Sequence, residues 1–255
     1  MALDRWRGGR VRPAAVLLPA LVVTAVLVAA NVPAARDDPG TPWPATGALF
    51  EGPDGPPGTH FCTGSVVDSP AGNLVVTAAH CASEGDGAAP STDISFAPGY
   101  HDGVAPSGTW RVTSVLLDPA WANGADPDHD VAFLQVERDD GTPVQEVTGA
   151  DHLVFGPAPT GTSVTAVGYP VGAERPAAVT GRVDELSPTQ LRLDVPGLPD
   201  GTSGGPWLAG PHGTDLVGVT GGFEEGGSTA DTSFAAVLSD DVRALYARAT
   251  VTPAS

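Results

Sequence analysis

Gly201-Thr202-Ser203-Gly204-Gly205-Pro206 is a glycine-dense turn with one serine at its centre. Glycine on both sides lets the backbone bend sharply and lets another chain come close to the hydroxyl. Two other strings give the turn its meaning: Thr77-Ala78-Ala79-His80-Cys81, and His129-Asp130-Val131-Ala132-Phe133-Leu134. Together they supply an imidazole, a carboxylate and a hydroxyl in the chain order His80, Asp130, Ser203. A serine hydroxyl is a poor nucleophile at neutral pH. It becomes effective when an imidazole takes its proton and a carboxylate holds that imidazole in one tautomer. The glycine turn alone reads as an ordinary β-turn, and the other two strings are what raise it above that.

The surrounding sequence reads as all-β. Among 255 residues there are 33 Gly and 26 Pro, which favours short strands joined by tight turns. Apolar and alternating runs predict strands over 47–51, 61–67, 74–77, 94–96, 110–117 and 131–136. A second set is predicted over 163–169, 177–186, 190–195, 206–209, 216–220 and 233–237. One helix is expected over 239–249, capped by Ser239 or Asp240, with Val242, Leu245 and Tyr246 on one face. The expected architecture is two packed antiparallel six-stranded β-barrels, about 47–140 and 160–238, with a C-terminal helix and the active groups in the cleft between them.

Residues 1–35 stand apart. Arg5, Arg7, Arg10 and Arg12 precede an uncharged apolar run from Ala14 to Ala30, and small residues follow. That is the layout of a secretory signal peptide, with an uncleaved membrane anchor as the alternative. Residues 36–46 read as an exposed linker or short pro-segment. The formal net charge is -18; removing four Arg and one Asp with residues 1–35 takes it to -21, and none of the basic residues is lysine. A surface this acidic, without a basic patch, excludes nucleic acid and anionic membranes as partners. Monomer is the default expectation. In an exported chain Cys62 and Cys81 are expected to pair, fixing the segment that carries His80. Two cysteines and scattered histidines do not give the spacing of a zinc site, and no cofactor is called for. Asp126-x-Asp128-x-Asp130 opens like a calcium loop but lacks the glycine and glutamate that follow in one. Asp126 and Asp128 therefore read as solvated loop charges, and His60, His101, His152 and His212 as surface histidines.

In Cys62-Thr-Gly-Ser-Val-Val, Val76-Thr-Ala-Ala-His-Cys81, Asp130-Val-Ala-Phe-Leu, Gly168-Tyr-Pro, Gly201-Thr-Ser-Gly-Gly-Pro206 and Leu216-Val-Gly-Val219, the chain resembles the chymotrypsin/trypsin-like serine proteases, of the kind that actinobacteria secrete. The likeness spans about residues 47–249. It implies a secreted serine endopeptidase acting on polypeptides, with His80 as base, Asp130 as orienting acid and Ser203 as nucleophile. It also implies that the amides of Gly201 and Ser203 form the oxyanion hole, and that Thr220, Gly221 and Gly222 line the substrate site, the glycines pairing with an extended peptide. No acid stands where trypsin-like enzymes select a basic side chain, so Arg/Lys preference is not implied, and Glu224 and Glu225 read as a solvated loop. A protease-fold binding protein with latent or lost activity is the competing reading. An esterase of the α/β-hydrolase type fails on chain order, since only His212 follows Ser203.

Thr202 stands where zymogens of the family carry an acid for a newly freed N-terminus. A neutral hydroxyl cannot pair with a buried ammonium. Activity is therefore expected not to need a defined terminus within 36–46; it should stay within a few-fold when that segment is trimmed through Trp43, and a gain of orders of magnitude on trimming would refute this.

Overall fold

The structure, a computed structural model, describes residues 41–56 and 58–251; the predicted signal peptide over 1–35 lies outside them. No helix among the described residues is long and apolar enough to cross a membrane.

The first half closes on itself. Strands β1 (Thr46–Glu51), β2 (His60–Val66), β3 (Leu74–Thr77), β4 (Ile94–Pro98), β5 (Trp110–Leu117) and β6 (Ala132–Glu137) pair in the order β1-β2-β3-β6-β5-β4, and β4 returns to β1. Closure leaves no free strand edge. The alternation of side chains explains why β3 and β6 read as continuously apolar. Val75, Leu134 and Val136 point into the barrel with Leu49, Phe96 and Trp110. Leu74, Val76 and Phe133 point the other way, into a second core shared with Val167, Leu208, Leu216 and Val219 from the second half.

That half contains β7 (His152–Leu153), β8 (Ser163–Gly168), β9 (Ala177–Ser187), β10 (Gln190–Leu193), β11 (Pro206–Ala209), β12 (Asp215–Val219) and β13 (Ser233–Ala236). They form a seven-stranded sheet in the order β13-β10-β9-β8-β11-β12-β7, where the sequence predicted a six-stranded barrel. Six antiparallel strands curl around the core of Val164, Leu191, Leu193 and Trp207, and the two-residue β7 is added parallel to β12. The curl brings Gly221, just past β12, against β13, where its amide donates to the Phe234 carbonyl at 2.9 Å. No ladder forms there, because the chain leaves strand geometry at Gly221-Gly222.

Two short helices escaped the sequence reading, α1 (Pro119–Gly124) and α2 (Val144–Thr148). The first carries a legible start signal: Asp118 accepts from the Ala120 amide at 2.8 Å and Pro119 follows. The C-terminal helix α3 (Asp240–Val251) seals the seam between the halves with Val242, Leu245 and Ala249. The Gln135 side chain reaches across to the Ala249 carbonyl at 2.9 Å. Near the N-terminus the expected linker is already docked by its last residues: Ala45 is buried and its carbonyl accepts from the Val66 amide at 2.9 Å. His60 and His101 are also not surface residues. Each is buried with a ring nitrogen on a main-chain carbonyl, Ala173 and Gly99 respectively, at 2.8 Å, whereas His152 and His212 are exposed.

Cys62 and Cys81 are joined, as expected, across 19 positions. Closing a loop of this size stabilises the fold by about 3 kcal/mol in the chain-entropy description.

Asp151, on the strap between the halves, is a buried carboxyl that forms no ion pair among the described residues; Ser65 Oγ donates to it at 2.6 Å. Burial pushes its pKa up to about 6, against the pull of the Ser65 hydrogen bond, with a further push from the charge of Asp68. Folding thus favours the protonated acid. Stability from this group is complete below the unfolded value of 3.8 and is lost as pH rises through about 6. Asp151→Asn should unfold at higher denaturant than the parent at pH 7, by about 2 kcal/mol, and the gap should close below pH 4. Equal midpoints at both pH values would show that Asp151 ionises without cost.

Candidate active site

β3 ends at Thr77, and the chain turns through a short 3-10 segment, Ala79–Cys81, that carries His80. Two devices fix this turn. Cys81 is tied to β2 by the disulfide, and Ala79 packs on Trp121 and Ala132, with the Trp121 indole donating to the Ser83 carbonyl at 3.0 Å. Asp130 stands just before β6 and is wholly buried. Its Oδ2 meets His80 Nδ1 at 2.8 Å, and its Oδ1 accepts from the His80 amide at 2.9 Å. A third donor comes from the other half: the Gly222 amide reaches Oδ2 at 2.8 Å. This explains the glycine before it, since a Cβ on Gly221 would sit 2.9 Å from Oδ2. A buried carboxylate needs such complete pairing to stay charged.

For the imidazole, burial disfavours the charged form. The hydrogen bond to Asp130, the charge of Asp130 and the charge of Glu225 outweigh it, and hold the His80 pKa above the ordinary 6.5.

Asp126 and Asp128 do not serve as free solvated charges. Asp126 caps the Pro127–His129 turn, and Asp128 accepts from Gln190 Nε2 at 2.9 Å. The same buried Gln190 accepts from the Phe223 amide at 3.1 Å, so it joins the loop before Asp130 to the segment after Gly222.

Ser203 lies in the turn entering β11. Its carbonyl accepts from the Thr63 amide at 2.8 Å, and the next amide, Gly204, donates to the Thr220 carbonyl at 2.7 Å. Gly204 has φ +78°, and a Cβ there would fall 2.1 Å from Thr77 Oγ1; only glycine permits the halves to meet this closely. Among the described residues the amides of Gly201 and Ser203 donate to no protein acceptor. The Asp200 carbonyl is held by the Val171 amide at 2.9 Å. In a trans peptide the N–H points opposite the carbonyl, so the Gly201 N–H is turned away from that contact. Gly201, Ser203 and His80 all line one cavity of about 660 Å³, which Asp200, Glu224 and Glu225 also border.

Three features were not legible in the sequence. First, the Ser203 hydroxyl donates to the Glu225 carbonyl at 3.4 Å and makes no hydrogen bond to His80. Second, Glu224 and Glu225 are exposed, as a solvated loop should be, and also form part of the cavity wall in left-handed backbone conformations, φ 51° and 55°. Third, the glycines expected to pair with an extended peptide have their amides in use, Gly221 on Phe234 and Gly222 on Asp130. Thr220 lines the cavity, with its hydroxyl accepting from the Trp207 indole at 3.1 Å. Cys62, His80 and Cys81 bring their donor atoms within 4.8 Å of one another, but the two sulfurs are bonded to each other, so they offer no thiolate to a metal.

A sequence model of the trypsin-like peptidase domain matches residues 62–219. No curated protein matches the chain. Among solved structures, a thermostable serine protease, AL20, from an extremophilic microorganism is 27% identical with a TM-score of 0.71, covering 83% of this chain and 99% of that one. The protease Anisep from Arthrobacter nicotinovorans is 26% identical with a TM-score of 0.72, covering 83% and 98%. A Glu endopeptidase, 19% identical with a TM-score of 0.68 over 84% and 93%, shares the fold.

The raised His80 pKa sets a sign. Folding favours the imidazolium, so stabilisation by His80 is complete below 6.5 and fades as pH rises through the folded-state value. An NMR titration of the His80 ring should give a midpoint above 6.5. Glu225→Gln should lower it, and an unmoved midpoint would mean that the Glu225 charge is screened from the ring.

Proposed function

The chain belongs to the trypsin-like peptidase domain family and shares the fold of solved proteases, and from that premise we propose that it is an exported serine endopeptidase working through an acyl-enzyme. Ser203 Oγ attacks the carbonyl carbon of the scissile peptide bond while His80 Nε2 takes its proton. Asp130 holds the Nδ1 proton, fixing the tautomer and stabilising the imidazolium that forms. The amides of Gly201 and Ser203 receive the oxyanion. The tetrahedral species collapses, the C–N bond breaks, and the leaving amine takes the proton from His80. Water, deprotonated by the same imidazole, then releases the acid and restores Ser203. The substrates are polypeptides, and no metal or organic cofactor enters any step.

The observation that carries this reading is the buried Asp130 bonded to His80 Nδ1 at 2.8 Å, with Ser203 in the cavity that His80 lines. In the resting arrangement the hydroxyl sits on the Glu225 carbonyl at 3.4 Å. A bond this long is weak, so little holds the hydroxyl in that orientation. Export is supported by the basic-then-apolar N-terminal sequence and by the disulfide, which suits an oxidising compartment.

The Ser203–Glu225 contact also favours the competing reading of a binding protein with latent chemistry. A small ester substrate separates the two: acyl-enzyme formation gives a burst, and a binding protein gives none. On the protease reading, a fluorophosphonate should label the folded protein and fail to label Ser203→Ala. Asp130→Asn should lower kcat about 10⁴-fold, the loss that a wrong tautomer brings to a triad of this type. A folded parent that takes no label would end the proposal.

A further inference from the structure

One buried side chain holds the nucleophile turn in place, and nothing in the motif reading assigned it a role. Thr63, in β2, has no solvent exposure. Its amide donates to the Ser203 carbonyl at 2.8 Å. Its hydroxyl donates to the Gly201 carbonyl at 3.0 Å and accepts from the Tyr169 amide at 2.8 Å. Its carbonyl accepts from Thr77 Oγ1 at 2.7 Å. One residue of the first barrel thus grips the carbonyls of both residues whose amides are free in the cavity, and it is bonded in turn to the strand end three positions before His80.

The peptide plane makes these contacts more than packing. Gly201 is held at both sides: the preceding carbonyl, Asp200, sits on the Val171 amide, and its own carbonyl sits on Thr63. The Gly201 N–H belongs to the first of these planes, held by the Val171 contact; the Thr63 hydroxyl holds the second, and Gly201 is the pivot between them. The plane after Ser203 is held by its carbonyl on the Thr63 amide and by the Gly204 amide on the Thr220 carbonyl, and the plane that carries the Ser203 N–H is held by the Thr202 carbonyl, which accepts from the Gly205 amide at 3.0 Å. Glycine at 201, with φ +92°, has no side chain to resist rotation of these planes, so outside hydrogen bonds must supply the rigidity. A β-branched side chain suits the task, because threonine has few χ1 choices and loses little freedom when bonded.

Resting on the reading of Ser203 as nucleophile, the geometry points to Thr63 as a positioning residue: its hydroxyl holds the peptide plane that lies between the two planes carrying the oxyanion-binding amides, and the residue couples the nucleophile turn to the segment that bears the base. Thr63 touches no reacting atom. Its contribution is preorganisation, which matters in the transition state and little in substrate binding.

The test compares Thr63→Val, Thr63→Ser and the parent with a peptide substrate at 25 °C, with a thermal melt of each. Valine keeps the shape and leaves the Gly201 carbonyl and the Tyr169 amide without partners; serine keeps the hydroxyl. Thr63→Val should lose about 10- to 100-fold in kcat with KM within about twofold. Thr63→Ser should recover most of the loss. A peptide boronate, which forms a tetrahedral adduct on the serine, should bind Thr63→Val more weakly by a factor like that in kcat/KM. If valine prevents folding, Thr63→Ala against Thr63→Ser gives the same comparison without an inserted methyl. Kinetics within twofold of the parent in a folded Thr63→Val would overturn the inference and leave the protease reading intact. An equal loss in the serine variant would also overturn it, since methyl packing would then be responsible. A parent that neither turns over peptide nor takes a fluorophosphonate would overturn both.

Discussion

A charge without water must be paired on every side, and Asp130 is such a charge. It is wholly buried, and its oxygens accept from the His80 ring, the His80 amide and the Gly222 amide. Two of these donors belong to the first barrel's loop and the third to the second half. Withdrawing any one of them would leave a buried carboxylate short of a partner, at a cost of several kcal/mol. The two halves are therefore held in one register by an electrostatic requirement as well as by the apolar seam beneath α3. That requirement also dictates residue types: glycine at 221, because a side chain there would strike the carboxylate, and glycine at 204, because the halves close to within contact of Thr77 and Thr63.

Seen from Ser203, the same seam runs through Thr63. Thr63 on β2 donates to the Gly201 and Ser203 carbonyls and is itself bonded to Thr77 at the end of β3, so the position of Ser203 is defined from the first barrel although the residue belongs to the second half. The segment 221–227 is gripped differently. It is tied to Asp130 through Gly222 and to Gln190 through Phe223, and it lays the Glu225 carbonyl over the Ser203 hydroxyl. The cavity wall on that side includes Glu224 and Glu225, both in left-handed backbone conformations. Non-glycine residues adopt these at a cost of about 1 kcal/mol or more each.

Much of this was legible in the chain. The apolar runs gave the strands to within a residue or two in most cases. The three motif strings located His80, Asp130 and Ser203, and the exported context paired Cys62 with Cys81. What escaped has a common physical origin. The buried state of His60 depends on a carbonyl 113 positions away, at Ala173. The role of Thr63 depends on partners 14, 106 and 138 positions away. The failure of β12 and β13 to join in a ladder depends on where the backbone turns after Thr220. The contact of Glu225 with Ser203 is made by a main-chain oxygen, which every residue possesses. Local pattern carries information about side-chain type and period, and none about which distant carbonyl a hydroxyl will find. The helix α1 is different, since Asp118-Pro119 announced it.

The disulfide has one more consequence. The exposed turn at 68–73 lies inside the ring that Cys62 and Cys81 close, and exposed turns are where other proteolytic molecules cut first. A nick there would leave β2 and the His80 segment still joined through sulfur, and β3 would remain clamped between β2 and β6. On the proposed protease reading, the covalent ring means that a cut at that hairpin by another copy need not detach His80 from the rest of the fold.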